Sequence, residues 1–155
     1  MRVLLATDGS PHSRRALEKT AELARATKAE VKVLVVSSMV FMRPIYGADR
    51  DLLVPSNEES GEILLEAYSY LRRRGVVPQT LHRVGTPADT ILSVAREIEA
   101  DLIVLGSHGR SSLQRYLLGS VSQKVLTHAP CSILIARESA HVRIAFPDCT
   151  LVQRN

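Results

Sequence analysis

Several sequence features that mark specialised protein classes are missing from this chain of 155 residues. It has no tryptophan and only two cysteines, Cys131 and Cys149, which are too few for a disulfide framework. It also lacks an apolar run of about 18 residues that could cross a membrane, and its apolar start is too short for a signal peptide. We therefore expect a cytoplasmic protein without membrane contact.

Common catalytic and cofactor-binding signatures are absent as well. Neither Gly-x4-Gly-Lys-(Ser/Thr) nor Gly-x-Gly-x2-Gly occurs, which excludes a P-loop and a dinucleotide fingerprint. The Gly-x-Ser-x-Gly elbow of many hydrolases is missing too. The net charge of +4 would help to attract phosphate. Because no aromatic platform or recognition motif accompanies that charge, we do not expect a nucleic-acid partner.

The chain does contain five short strand-like segments that alternate with amphipathic segments. Residues 3–6, 31–36, 102–105 and 132–136 are mainly apolar, with Lys32 as the one interruption of 31–36, and residues 80–84 are a further short strand. Continuous apolar runs are typical of strands buried on both faces of a parallel sheet. Helices are expected after Ser10-Pro11, over 57–74, after Pro87 and around Val121. The pattern predicts a single α/β domain with right-handed crossovers.

Two segments do not fit this alternation. Residues 37–56 show no period and contain two prolines and a glycine, so a long loop is expected there. Residues 139–155 form a tail of uncertain structure, in which 142–146 is a candidate for an extra strand. The predicted domain therefore spans residues 1–138.

The segment from Gly106 to Ser120 leaves a buried strand and ends at the start of a helix. Its glycines, Gly106, Gly109 and Gly119, would permit positive φ and let a ligand approach the backbone. Backbone N–H groups in such a loop can form an anion-binding concavity, to which the helix N-terminus adds further donors. A turn followed by a capped helix is the plainer interpretation, and it would explain two glycines but not the full spacing.

The full spacing, Gly106-x2-Gly109-x9-Gly119-Ser120, resembles the ATP-binding members of the universal stress protein family. The resemblance covers residues 1–137. It includes Thr7-Asp8-Gly9-Ser10, Gly85-x-Pro87-Ala88, the run from Asp101 to Arg110, and the run from Ala129 to Ile135. It implies a five-stranded parallel sheet of order 3-2-1-4-5, with strands numbered along the chain. It also implies ATP as ligand, and a homodimer that meets along the last strand.

The resemblance also implies roles for individual residues. The backbones of Ala6 and Val36 would hold adenine, and Asp8, beside Thr7, would contact the nucleotide directly or through Mg²⁺. Leu105 and Gly106 would lie along the ribose and α-phosphate. The β- and γ-phosphates would be lined by Gly109, Arg110, Gly119, Ser120, Val121 and Ser122. In the implied strand order a crevice opens between strands 1 and 4, and Asp8 and Gly106 follow those two strands.

Some of these residues have simpler explanations. Asp8 suits a turn and cap. His108 could approach a phosphate, but a solvent-facing loop histidine is the preferred interpretation. His128-x2-Cys131 is better explained by a helix end and a buried strand cysteine than by a metal site.

Three functions remain open at this point. The first is an ATP-binding stress-response protein that acts as a nucleotide-dependent switch or chaperone-like regulator, with slow hydrolysis at most. The second is a genuine ATPase or phosphotransferase. It is disfavoured because the Gly106–Ser120 loop has no carboxylate and Asp8 is the only nearby acid. The third is a dimeric scaffold that needs no nucleotide.

Overall fold

The apolar runs and amphipathic segments form strands and helices in the predicted order. The computed structural model describes residues 1–42, 52–55, 58–109 and 118–137. Their strands are β1 (Arg2–Ala6), β2 (Glu30–Ser37), β3 (Met39–Met42), β4 (Leu52–Pro55), β5 (Gln79–Val84), β6 (Leu102–Gly106) and β7 (Ser132–Ala136). Their helices are α1 (Pro11–Thr27), α2 (Glu58–Arg72), α3 (Pro87–Glu97) and α4 (Ser120–His128).

The central sheet has five parallel strands in the order β5-β2-β1-β6-β7. When these five strands alone are numbered along the chain, their order is 3-2-1-4-5, as predicted. The strands β1 and β6 are neighbours, and the chain proceeds from them in opposite directions, to β2 on one side and to β7 on the other. Such a reversal leaves a crevice at the C-terminal ends of the two strands.

Both faces of the sheet are buried, which explains why its inner strands have continuous apolar runs. On one face Val3 and Leu5 pack with Leu17 of α1 and Leu71 of α2. On the other face Leu4 packs against the residues of α3 and α4. These include Ile91, Leu92, Ala95 and Val125. The predicted inward faces of the helices are thus confirmed.

The helix boundaries follow local chemistry. Ser10 caps α1, because its Oγ accepts a hydrogen bond from the Ser13 N–H at 3.2 Å, and Pro11 is the first helical residue. The predicted end of α2 is also observed. Gly75 has a φ of 78°, and the run 72–74 is exposed.

The expectation of a structureless segment over 37–56 was wrong in part. Ser37 is the last residue of β2, and β3 and β4 pair antiparallel, from Met39 opposite Pro55 to Met42 opposite Leu52. Residues 39–42 are all apolar and include Val40 and Phe41, which favour strands. The prediction gave more weight to the two prolines and the glycine of the segment than to this strand-favouring run.

The tail at 139–155, including the predicted strand at 142–146, lies outside the described residues. The domain boundary at 138 therefore stays a prediction. Among the helices that the structure describes, none combines the length and the apolar character needed to span a membrane.

Candidate functional site

A cleft of about 430 Å³ opens at the C-terminal ends of β1, β2 and β6. Its wall includes ten of the residues proposed from sequence: Ala6, Thr7, Asp8, Val36, Leu105, Gly106, His108, Gly109, Val121 and Ser122. Val35, which was the alternative to Val36, lines it too. Gly119 and Ser120 are not part of the wall, and Arg110 lies outside the described residues.

A larger cavity, of about 780 Å³, lies at the opposite end of the sheet from the cleft. It is formed by the C-terminal ends of α1 and α2 and includes Arg25, Lys28 and Arg74. Helix C-termini carry partial negative charge, which disfavours a polyphosphate there. None of the residues proposed from sequence lines this cavity, so the smaller cleft is the candidate site.

The turn after β1 and the loop after β6 meet at the mouth of the cleft. The Oδ2 atom of Asp8 lies 3.0 Å from the position that a Cβ atom on Gly109 would occupy. The other carboxylate oxygen, Oδ1, accepts a hydrogen bond from the Ser10 N–H at 3.0 Å. Asp8 therefore both shapes the turn before α1 and presents its second oxygen toward the loop.

The three loop glycines are needed for space, not for an unusual backbone conformation. None of Gly106, Gly109 and Gly119 has a positive φ, so that part of the expectation was wrong. A Cβ atom on Gly106 would lie 2.7 Å from the carbonyl carbon of His12, in the first turn of α1. A Cβ atom on Gly119 would lie 3.3 Å from the Cα of His108. Gly106 thus lets α1 approach the sheet, and Gly119 lets α4 approach the loop.

Not all of the loop amides are free to bind a ligand. The N–H of Gly119 donates to the Ser107 carbonyl at 2.8 Å, and the N–H of Ser107 donates to the Ala136 carbonyl at 2.9 Å. The N–H groups of Gly119 and Ser107 are thus already hydrogen-bonded within the protein. The start of α4 differs, because no side chain caps it. The first N–H groups of a helix have no partner within that helix.

Ser122 contributes to the structure of the site in an unexpected way. Its Oγ donates a hydrogen bond to the Gly106 carbonyl at 2.8 Å, and this pair is buried. The hydroxyl hydrogen is thus used to fasten α4 to the end of β6. The Ser122 group that remains available to a phosphate is its backbone N–H.

His108 is buried, so the preferred interpretation of a solvent-facing histidine was wrong. Only 5% of the residue is exposed, and its ring lies on the cleft wall. The Nδ1 atom is 3.1 Å from the Ser107 hydroxyl, and the ring centre is 5.1 Å from that of His12. The His108 ring thus packs beside His12 of α1.

Comparison with known proteins places this architecture in a family. The sequence profile of the Universal stress protein family matches residues 1–137. The chain belongs to this family. Universal stress protein YxiE of Bacillus subtilis is 35% identical over 145 residues, which cover 88% of this chain and 98% of that protein.

Two solved structures of universal stress proteins have the same fold and contain adenine nucleotides. One, described as in complex with cAMP, is 27% identical with a TM-score of 0.68, and covers 90% of this chain and 98% of the other. The second, from Archaeoglobus fulgidus in complex with dAMP, is 24% identical with a TM-score of 0.63, and covers 88% and 98%. At that identity the second structure shows the shared fold alone.

In this universal stress protein, the far end of the cleft carries a polar group that the sequence analysis missed. The Ser37 hydroxyl lies 2.6 Å from the Ser60 hydroxyl and 2.8 Å from Nε2 of His82. Ser37 and Ser60 line the cleft, together with Glu59 and Ile63 from the start of α2. The position of Ser37 at the end of β2, next to Val36, is the signal that could have revealed this end of the site.

His128 lies at the end of α4, and Cys131 lies just before β7. His128 is exposed, with Nδ1 2.9 Å from the Lys124 carbonyl. Cys131 is half-buried and precedes β7, so its description as a buried strand residue was too strong. Partial burial, together with the charge of Asp101, raises the pKa of the Cys131 thiol. In the described part of the chain, no three His, Cys, Asp or Glu residues group to hold a metal.

Proposed function

We propose that this universal stress protein binds ATP in the cleft and acts as a nucleotide-dependent switch or chaperone-like regulator in a stress response. The observation that carries this proposal is the approach of Asp8 to Gly109 beside the uncapped start of α4. A metal-bound polyphosphate suits a site that combines a carboxylate, a stretch of backbone without a side chain and the first N–H groups of a helix.

The adenine would occupy the end of the cleft formed by β1, β2 and α2. Ala6 and Val36 offer their backbones there, and the side chains of Leu34, Ile63 and Ile91 supply apolar walls. Ribose and α-phosphate would follow Leu105 and Gly106 toward the loop. This assignment puts the Ser37 and Ser60 hydroxyls at the base end, where they can meet the polar edge of a purine.

The polyphosphate would lie at the other end, against Gly109 and the start of α4. Gly119 and Ser120 lie outside the cleft wall: Gly119 lets α4 approach the loop, and Ser120 is the exposed first residue of that helix. The N–H groups of Val121 and Ser122, at the start of α4, are the donors that this geometry favours. The guanidinium group of Arg110 would donate charged hydrogen bonds to a phosphate, as the family pattern implies.

Asp8 fits a Mg²⁺ ion that is bound to the phosphates. Mg²⁺ in nucleotide sites is held by one or two carboxylates, by phosphate oxygens and by water. The Oδ2 atom of Asp8 faces Gly109 at the polyphosphate end, as that arrangement requires. When bound, the ion would neutralise phosphate charge, and Thr7 would support the turn, since its Oγ1 accepts from the Gly9 N–H at 3.3 Å.

A solved relative supports an adenine nucleotide as ligand class. The universal stress protein in complex with cAMP is 27% identical to this chain and has the same fold, and its ligand contains adenine. The triphosphate is inferred for this chain from the complete glycine and serine spacing. We also propose a cytoplasmic homodimer that meets along β7, because β7 ends the sheet and its residues Ile133 and Leu134 are only partly buried.

Two measurements test nucleotide binding. Heat-denaturing the purified protein should release an adenine nucleotide, and calorimetry on nucleotide-free protein should show one Mg-ATP bound per chain. Absence of both signals would contradict the proposal and favour the nucleotide-independent scaffold. Gel filtration with light scattering tests the dimer separately.

The alternative of a true ATPase or phosphotransferase has weaker support. In the described cleft wall the carboxylates are Asp8 and Glu59, and Oδ1 of Asp8 is held by the Ser10 N–H. Rapid phosphoryl transfer needs a positioned base or water and stabilised charge. At Mg-ATP concentrations that saturate both proteins, single-turnover hydrolysis by the native protein and by Asp8→Ala should therefore differ little. A large loss in the variant would favour the catalyst.

A further inference from the structure

His12 and His108 each have a buried ring nitrogen without a hydrogen-bond partner. In the described part of the structure these are the only buried side-chain polar atoms of this kind, Nδ1 of His12 and Nε2 of His108. Buried polar atoms are nearly always hydrogen-bonded, so two exceptions in adjacent side chains call for an explanation. The two ring centres are 5.1 Å apart, with an angle of 48° between the ring planes.

We propose that these two imidazoles form a site for a divalent transition metal ion of the zinc class. Imidazole nitrogen suits zinc and similar ions, whereas Mg²⁺ prefers oxygen ligands. Two imidazoles that bind one tetrahedral zinc ion at about 2.0–2.1 Å place their ring centres about 5 Å apart. The observed separation of 5.1 Å matches this value.

The surroundings of His108 are compatible with the form of the ring that a metal requires. A metal-bound histidine commonly donates its second ring N–H to a neighbouring acceptor, which leaves a lone pair on the other nitrogen. The Ser107 hydroxyl lies 3.1 Å from Nδ1 of His108 and can accept this hydrogen. The partnerless Nε2 is then the metal-binding atom.

This site differs from the proposed Mg²⁺ position at Asp8 in its ligands. Two protein ligands leave other coordination positions, which water from the adjoining cleft can fill, since His108 lines that cleft. Binding of the metal does not require nucleotide, so the site can be tested without it.

The test titrates untagged, nucleotide-free protein with Zn²⁺, and with Co²⁺ as a spectroscopic probe. We expect one ion per chain, with the absorption of tetrahedral cobalt. His12→Gln and His108→Gln should each weaken binding at least tenfold. His128→Gln is the matched control and should bind as the native protein does, because that exposed histidine lies on α4 away from the cleft.

Nuclear magnetic resonance of ¹⁵N-labelled histidines identifies the coordinating atoms. Zinc should shift Nδ1 of His12 and Nε2 of His108, and circular dichroism should show that the variants remain folded. No binding at micromolar zinc, coordination through other nitrogens, or unchanged binding in the double variant would overturn the proposal. Loss of ATP binding with zinc binding intact would contradict only the proposed function.

Discussion

Gly106 and His12 are in backbone contact, and this contact fixes the position of α1 against the sheet. A Cβ atom on Gly106 would lie 2.7 Å from the carbonyl carbon of His12 and 2.8 Å from the backbone nitrogen of Ser13. Backbone atoms cannot move aside as the tip of a flexible side chain can. The first glycine of the family spacing is therefore a packing requirement at a buried strand end.

Gly106→Ala is expected to destabilise the protein. The added methyl group forces α1 away from β6, a form of overpacking that costs about 1–3 kcal/mol of the free energy of unfolding. Urea denaturation followed by circular dichroism measures this loss.

Gly61→Ala is the matched control, because nothing lies within 4 Å of the added methyl group there. Gly61 is inside α2, so the control should gain about 0.5–1 kcal/mol. Equal stability of the two variants would contradict the packing role of Gly106.

Gly109→Val should reduce ATP affinity with little loss of stability. The new side chain would meet Oδ2 of Asp8, which a rotation of that carboxylate can relieve, but it would fill space at the polyphosphate end. Losing contacts to a charged group costs about 1.5–3 kcal/mol, or roughly tenfold to hundredfold in the dissociation constant. Calorimetry with Mg-ATP measures the change, and unaltered affinity would place the phosphates elsewhere.

The sequence alone predicted the parts of the fold that depend on local pattern. The runs at 3–6 and 102–105 are apolar at every position, which indicates strands covered on both faces. Once these strands are neighbours, the segments that follow them must meet. The approach of Asp8 to Gly109 was therefore predictable in outline.

The sequence could not predict contacts between distant segments that share no periodic signal. Ser37 and His82 are 45 positions apart and meet only because β2 pairs with β5. His108 is likewise buried and packs beside His12 of α1, a contact that the glycine spacing does not reveal. Glycine itself is ambiguous, since it can serve either positive φ or close approach.

Cys131 should react slowly with alkylating reagents near neutral pH. Partial burial raises the pKa of its thiol, and the thiolate is the reactive form, so less of it is present than for an ordinary cysteine. Rates of iodoacetamide labelling in a Cys149→Ser background, measured by mass spectrometry against pH, should rise at a higher pH than those of an ordinary cysteine. The same protein unfolded in urea is the control, and matching profiles would contradict the expected shift.

Ser122→Ala should weaken the attachment of α4 to the cleft. The variant leaves the buried Gly106 carbonyl without the hydrogen bond that Ser122 Oγ donates at 2.8 Å, which costs about 1–3 kcal/mol. Ser120→Ala is the control, because Ser120 is exposed at the first position of α4. Urea denaturation should show a loss for Ser122→Ala alone. Hydrogen exchange in α4 should rise in the same variant, since a helix held less firmly opens more often. If Ser120→Ala were equally destabilised, the effect would belong to the helix start and not to the bond with Gly106.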